Sequence, residues 1–102
     1  MQIQINTPGE TLPDAFLEQI ETSLRDTLRA HEGHLTRVEV HLKDQNGSKG
    51  GVDKRCLIEA RPRGMQPLVA EDEASEHAEA FRGALGKLKS VLAHRLGKLG
   101  SH

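Results

Sequence analysis

At roughly 100–150 residues per domain, a chain of 102 residues supplies one domain, spanning residues 1–102, and no second. Only 35% of its residues are hydrophobic and Phe16 and Phe81 are its only aromatics, so a core has to come from Leu, Ile, Val and Ala. The net charge of −1 argues against indiscriminate coating of nucleic acid, and no apolar run approaches the ~18–20 residues of a membrane span.

Residues Gln2-Ile3-Gln4-Ile5-Asn6 alternate polar and apolar, the period of a half-buried strand with Ile3 and Ile5 inward. Thr7-Pro8-Gly9 ends it. A helix is expected from about Pro13, whose missing N–H costs nothing in a first turn. Phe16, Ile20, Leu24 and Leu28, with Leu17 beside them, form its apolar stripe. Gly33 is the expected stop, in the left-handed conformation that ends helices.

Leu35 to Lys43 alternates strictly, with Val38, Val40 and Leu42 inward and Arg37, Glu39, His41 and Lys43 outward. The glycine-rich stretch from Asp44 to Gly51 reads as a mobile loop. Lys54 to Arg61 is a third strand, with Cys56, Ile58 and Ala60 on one face. Pro67 to Ala70 is a short fourth strand, with Pro67 at its start or at a sheet edge. A long helix follows, roughly Ala74 to Leu99, with apolar residues at steps of three and four. Glu71, Asp72, Glu73 and Glu76 are expected at its N-terminus and its basic residues toward the C-terminus, both matched to the helix dipole.

The element order β-α-β-β-β-α predicts an α+β fold. A right-handed crossover joins the first two strands in parallel, and the later strands run antiparallel through short loops. Two helices with one apolar stripe each cover one face of a four-stranded sheet, a two-layer sandwich.

Enzymatic motifs are missing from the sequence. Gly47-Ser48-Lys49-Gly50-Gly51 has the wrong order for a phosphate loop, and there is no nucleophile elbow, dinucleotide fingerprint or zinc-protease helix. One cysteine cannot close an internal disulfide. On the inward face of its strand, Cys56 reads as core filler with a raised pKa rather than a nucleophile. His31 and His34 have no ligand spacing around them, so no metal is expected. No basic start followed by an apolar stretch opens the chain, so no signal peptide is expected and the cytoplasm is the default compartment. His102, after Gly100-Ser101, reads as a frayed end.

Charge is segregated along the chain. Residues 1–36 hold two basic and six acidic side chains, residues 37–63 seven and four, residues 71–79 five acids and no base, and residues 82–102 five bases and no acid. A basic surface from the middle and closing segments is therefore expected. On the last helix Lys87, His94 and Lys98 fall opposite the apolar stripe, Arg82 and Lys89 share one flank, and Arg95 lies on the other. Like charges this close repel unless a polyanion meets them. The expected nucleic-acid contacts are Arg37, Lys43, Lys54, Arg55 and Arg61 from the central segment and Lys87, Lys89, Arg95 and Lys98 from the helix, merging into one continuous patch. Without aromatics on the sheet, these would be phosphate and shape contacts rather than base stacking.

The order β-α-β-β-β-α, the stretch Arg37-Val38-Glu39-Val40-His41-Leu42 and the closing Ala80-Phe81-Arg82-Gly83-Ala84-Leu85-Gly86-Lys87-Leu88 resemble the ribosome hibernation-promoting factor / ribosome-associated inhibitor A family, formerly called sigma-54 modulation proteins. The likeness covers nearly the whole chain. Lys87 matches a basic position of that family, while Ala78, Arg82, Ser90 and His94 depart from its pattern. The resemblance implies a double-stranded-RNA-binding-like fold in the short form without a C-terminal dimerising domain. It implies binding in the channel of the small ribosomal subunit and steric inhibition of translation, with no cofactor, no small-molecule substrate and no membrane. The other reading of the same fold is a protein-interaction module without rRNA binding, using the acidic first helix and the 71–79 cluster on a basic protein. Oligomeric state is left open.

Overall fold

The computed structural model describes residues 1–45 and 52–100, with side chains as far as Leu96. The segment from Asn46 to Gly51, including Lys49, and His102 lie outside the described residues, as does the Lys98 side chain. The elements are β1 (Gln2–Asn6), α1 (Asp14–Thr27), a 3-10 turn (Arg29–His34), β2 (Leu35–Asp44), β3 (Lys54–Pro62), β4 (Leu68–Ala74) and α2 (His77–Gly100).

The strands lie in the order β1-β2-β3-β4. β1 runs parallel to β2, and β2, β3 and β4 are antiparallel neighbours. Alternation decides which face each residue takes. Val38, Val40 and Leu42 of β2, Cys56, Ile58 and Ala60 of β3, and Leu68 and Ala70 of β4 are buried in one cluster with residues from both helices. Ile20 and Leu24 come from α1, and Ala80, Phe81, Ala84, Leu85, Leu88, Leu92 and Leu96 from α2. Both helices thus cover the same sheet face, and Ile3, Ile5 and Phe16 pack at its margin. Among the described residues no helix is long and apolar enough to cross a membrane.

Two turns have the same construction. Glu10 N–H donates to the Thr7 carbonyl at 3.2 Å, and Met65 N–H to the Pro62 carbonyl at 3.4 Å. In each the third residue is glycine with positive φ, 77° at Gly9 and 69° at Gly64, as a type II turn requires.

Two expectations fail at helix ends. α1 stops at Thr27, six residues before Gly33, and Gly33 has no positive φ. Leu28 caps the helix with its N–H on the Leu24 carbonyl at 2.9 Å, and the 3-10 turn carries the chain on to β2. This path buries both Leu28 and Leu35 completely or nearly so; burying that apolar surface outweighs a glycine stop in the middle of the turn.

The second correction concerns the acids. Glu71, Asp72 and Glu73 belong to β4, which is longer than expected, and α2 begins at His77 rather than at Ala74. Acidic residues are poor strand formers. Here β4 continues because Glu73 pairs in register with Arg55 of β3, which also donates to Glu71, so opposite charge is supplied across the ladder. Gly83 lets α2 close down on this end of β4: a Cβ there would fall 1.8 Å from an Asp72 carboxylate oxygen.

Candidate nucleic-acid interface

The outer sheet face carries charges in rows set by the β2–β3 register. Arg37 is opposite Arg61, Glu39 opposite Glu59, and Lys43 opposite Arg55. Neighbours two apart along each strand, and one diagonal pair, compensate the first two rows. Arg37 Nε donates to Glu39 Oε2 at 2.7 Å, and Arg37 also bonds the Gln4 side chain. Arg61 Nη2 lies 3.1 Å from Glu59 and 3.8 Å from Glu39. The hydrogen bond from Arg37 holds the Glu39 carboxyl below its usual range, against a partial desolvation that acts the other way. Arg55 donates to Glu71 at 2.5 Å, which raises its pKa. Lys43 is exposed and has no ion-pair partner among the described residues.

Lys54 has the parity of Cys56 and so projects to the helix-covered side of the sheet. Its Nζ donates to Asp44 at 2.7 Å and lies 3.8 Å from the buried Asp53. The bond to Asp44 raises its pKa.

On α2, Lys87 does not stand clear of the fold. Its Nζ donates to the Glu71 carbonyl at 3.2 Å and sits 3.5 Å from Asp72, so it is held along the edge of β4. Lys89 and Arg95 are exposed without an ion-pair partner among the described residues. So is Arg82, which is outside the nine expected contacts and lines a groove between α1 and α2 with Phe16 and Phe81. Its signal was in the sequence, since it shares the flank of Lys89.

The eight expected contacts whose side chains are described therefore do not form one continuous patch, and Lys98 lies outside the described side chains. The sheet-face set (Arg37, Lys43, Arg55 and Arg61) and the outward cations of α2 (Lys89 and Arg95) lie on opposite sides of the molecule. The sheet, with α2 packed on its other face, separates them. Lys87 at the β4 edge stands between, through Glu71, which holds Arg55 by its side chain and Lys87 by its carbonyl. Exposed ion pairs of this kind add little to stability and exchange readily for other counter-charges. Arg55 and Arg61 are accordingly available to phosphates, Arg37 less so beside the half-buried Glu39, and Lys54, enclosed by two carboxylates, is the least available.

Cys56 is fully buried, and burial, with Asp72 nearby, pushes its thiol up to about 12. A thiol of that kind is inert. A thiol-specific reagent is therefore expected to label the native protein only at the rate of unfolding, and rapid labelling without denaturant would contradict the buried placement.

A family model described as sigma 54 modulation protein / S30EA ribosomal protein matches residues 3–100. Among solved structures, a ribosomal subunit interface protein from Coxiella burnetii is similar with a TM-score of 0.81 at 15% identity, over 95% of this chain and 99% of that one. The N-terminal domain of Protein Y from Thermus thermophilus is similar with a TM-score of 0.73 at 21% identity, over 92% of this chain and 98% of that one. At these identities the likeness is one of fold. No curated protein matches by sequence.

Proposed function

Because the chain belongs to the sigma-54 modulation protein / S30EA ribosomal protein family, we propose that it binds rRNA of the small ribosomal subunit and inhibits translation by occupying space that the working ribosome needs. The family is one of ribosome-associated factors, not of enzymes, and what is proposed beyond that is the subunit, the rRNA contact and the inhibition. Action on ribosomes implies the cytoplasm.

The observation that carries this reading is the outward side of α2. From Ala80 to its end the helix holds no acid, and Arg82, Lys89 and Arg95 are exposed with no carboxylate partner among the described residues. Cations left unneutralised on a rigid helix suit the phosphates of folded RNA, where they release counterions. Lys98 continues the same basic segment in the sequence. Lys43 has no ion-pair partner among the described residues to give up, while Lys87 and the sheet-face arginines Arg37, Arg55 and Arg61 join only where a phosphate replaces their present partners, with Lys54 last.

The test is a titration of the protein against isolated small subunits over a range of salt. Six phosphate contacts give a log–log slope of roughly −4 to −5, and three give roughly −2 to −3. A slope near zero would sink the proposal.

A second reading has an observation of its own. Five of the expected cations (Arg37, Lys54, Arg55, Arg61 and Lys87) already have carboxylate neighbours, while Asp14, Glu18 and Glu21 of α1 are exposed. On that reading α1 docks on a basic protein. Capture of a protein partner after nuclease treatment, with no sedimentation on small subunits, would favour it.

A further inference from the structure

β1 is one of the two strands that end the sheet. Its ladder to β2 occupies one side, and no backbone hydrogen bond among the described residues reaches its other side. An edge of this kind is a template for another strand. The core is open along the same line: Ile3 and Ile5 are only half-buried, while Val38 and Val40, their partners on β2, are completely buried. The opposite edge of the sheet is guarded. β4 carries Glu71 and Glu73, and Lys87 lies along it with its Nζ on the Glu71 carbonyl. β1 has no such guard: Gln2-Ile3-Gln4-Ile5-Asn6 holds no charge and no proline. Its chemistry is also the same in both directions, running amide, isoleucine, amide, isoleucine, amide.

We propose that β1 pairs antiparallel with β1 of a second copy about a two-fold axis at Gln4, joining two four-stranded sheets into one. A two-fold contact needs a surface that complements itself, and this order of residues supplies it. Gln2 meets Asn6 of the second copy, Gln4 meets Gln4, and Ile3 meets Ile5. All partners then have like parity. Residues of one parity share a face, so the isoleucines meet on the core side and the amides on the outer side. One parity also turns its N–H and C=O groups to the open edge, and here it meets itself, as an antiparallel ladder requires. A shift of one residue would set isoleucine beside amide and break both matches. Pro8 lies beyond the paired residues, so its missing N–H costs the ladder nothing. The charges nearest on the sheet, Arg37 and Glu39, are one strand back in each copy. Across the axis that is three strand spacings, about 14 Å, beyond the Debye length of about 8 Å at physiological salt. The contact gains a backbone ladder and covers Ile3 and Ile5. It involves neither α2 nor RNA, so it stands or falls apart from the ribosome reading.

The experiment is sedimentation equilibrium of the full chain at about 0.15 M salt, where the exposed acids of α1 are screened. The apparent mass should rise from 11.2 kDa toward twice that value as the protein is concentrated to the millimolar range. Amide shifts over the same range should be confined to Gln2–Asn6 and the residues flanking them. Gln4→Glu and Gln4→Lys each put like charges face to face on the axis, and each should weaken association by up to about fivefold. Arg37 bonds the Gln4 side chain, so Gln4→Lys is the stronger of the two. Mixed together, the two variants face opposite charges and should associate about tenfold more tightly than either alone. Val69→Lys, on the guarded strand at an exposed residue, should change nothing. Thermal melts check that all three variants are folded. A monomer at every concentration, shifts along β4 instead of β1, weakening by Val69→Lys, or a mixture no tighter than its components would overturn the pairing.

Discussion

Replacing Lys89 and Arg95 together by glutamate is expected to lower affinity for the small ribosomal subunit by at least about a hundredfold at physiological salt. Each charge-assisted contact is worth about 1.5–3 kcal/mol, so two lost contacts amount to roughly two to four decades in Kd, and each new carboxylate adds repulsion from phosphate. Both side chains are exposed and have no ion-pair partner among the described residues, so the fold should survive; surface changes of this kind usually stay within about 0.5 kcal/mol. An unchanged thermal melt would verify that. The matching control is Glu18→Lys on exposed α1, which should leave ribosome affinity equal or better. The reverse pattern, with binding lost through Glu18→Lys and kept in the double variant, would transfer the working surface to the acidic helix.

The second large effect is on stability. Leu88→Ala should cost about 2–5 kcal/mol, the range for removing a buried leucine side chain and leaving part of its cavity. Leu88 is completely buried in the cluster that joins α2 to the sheet. With one phenylalanine in that cluster and one at its margin, leucines supply much of the bulk that a larger aromatic would provide elsewhere. A domain of this size has roughly 5–15 kcal/mol in total, so Leu88→Ala should lower the thermal midpoint by at least about 10 °C. Val69→Ala, at a residue 51% exposed on β4, should change stability by less than about 0.5 kcal/mol. Urea unfolding of the three proteins checks both values. Equal midpoints for Leu88→Ala and the parent would mean that α2 does not hold the sheet as described.

How much of this was legible from the residues depends on the range of the interaction that decides each feature. Val38, Val40 and Leu42 announce β2 because the strand period is two and one face is buried; no distant residue is needed to read it. The stripe Phe16, Ile20, Leu24 and Leu28 announces α1 for the same local reason. The element order then restricts the topology, and the parallel β1–β2 pair with antiparallel β2, β3 and β4 is the one found. The inward side of Cys56, and with it the raised thiol pKa, also follows from alternation alone.

Features that depend on partners far along the chain were not legible. Glu71, Asp72 and Glu73 look like a helix N-terminus until β4 is paired with β3, where Arg55 stands beside Glu71 and Glu73 and keeps the strand going. The end of α1 was decided by the need to bury Leu28 and Leu35 at the two ends of the 3-10 turn, not by Gly33. For the candidate interface, local sequence identified which residues are cationic and which face of an element they take. It could not tell which of them are already neutralised, because Arg55–Glu71 and Lys87–Asp72 join residues that meet only through sheet register and the packing of α2 on β4. Nor could it tell that the hairpin cations and the α2 cations are divided by the sheet, since a sequence specifies faces element by element and only packing decides which faces share a side of the molecule.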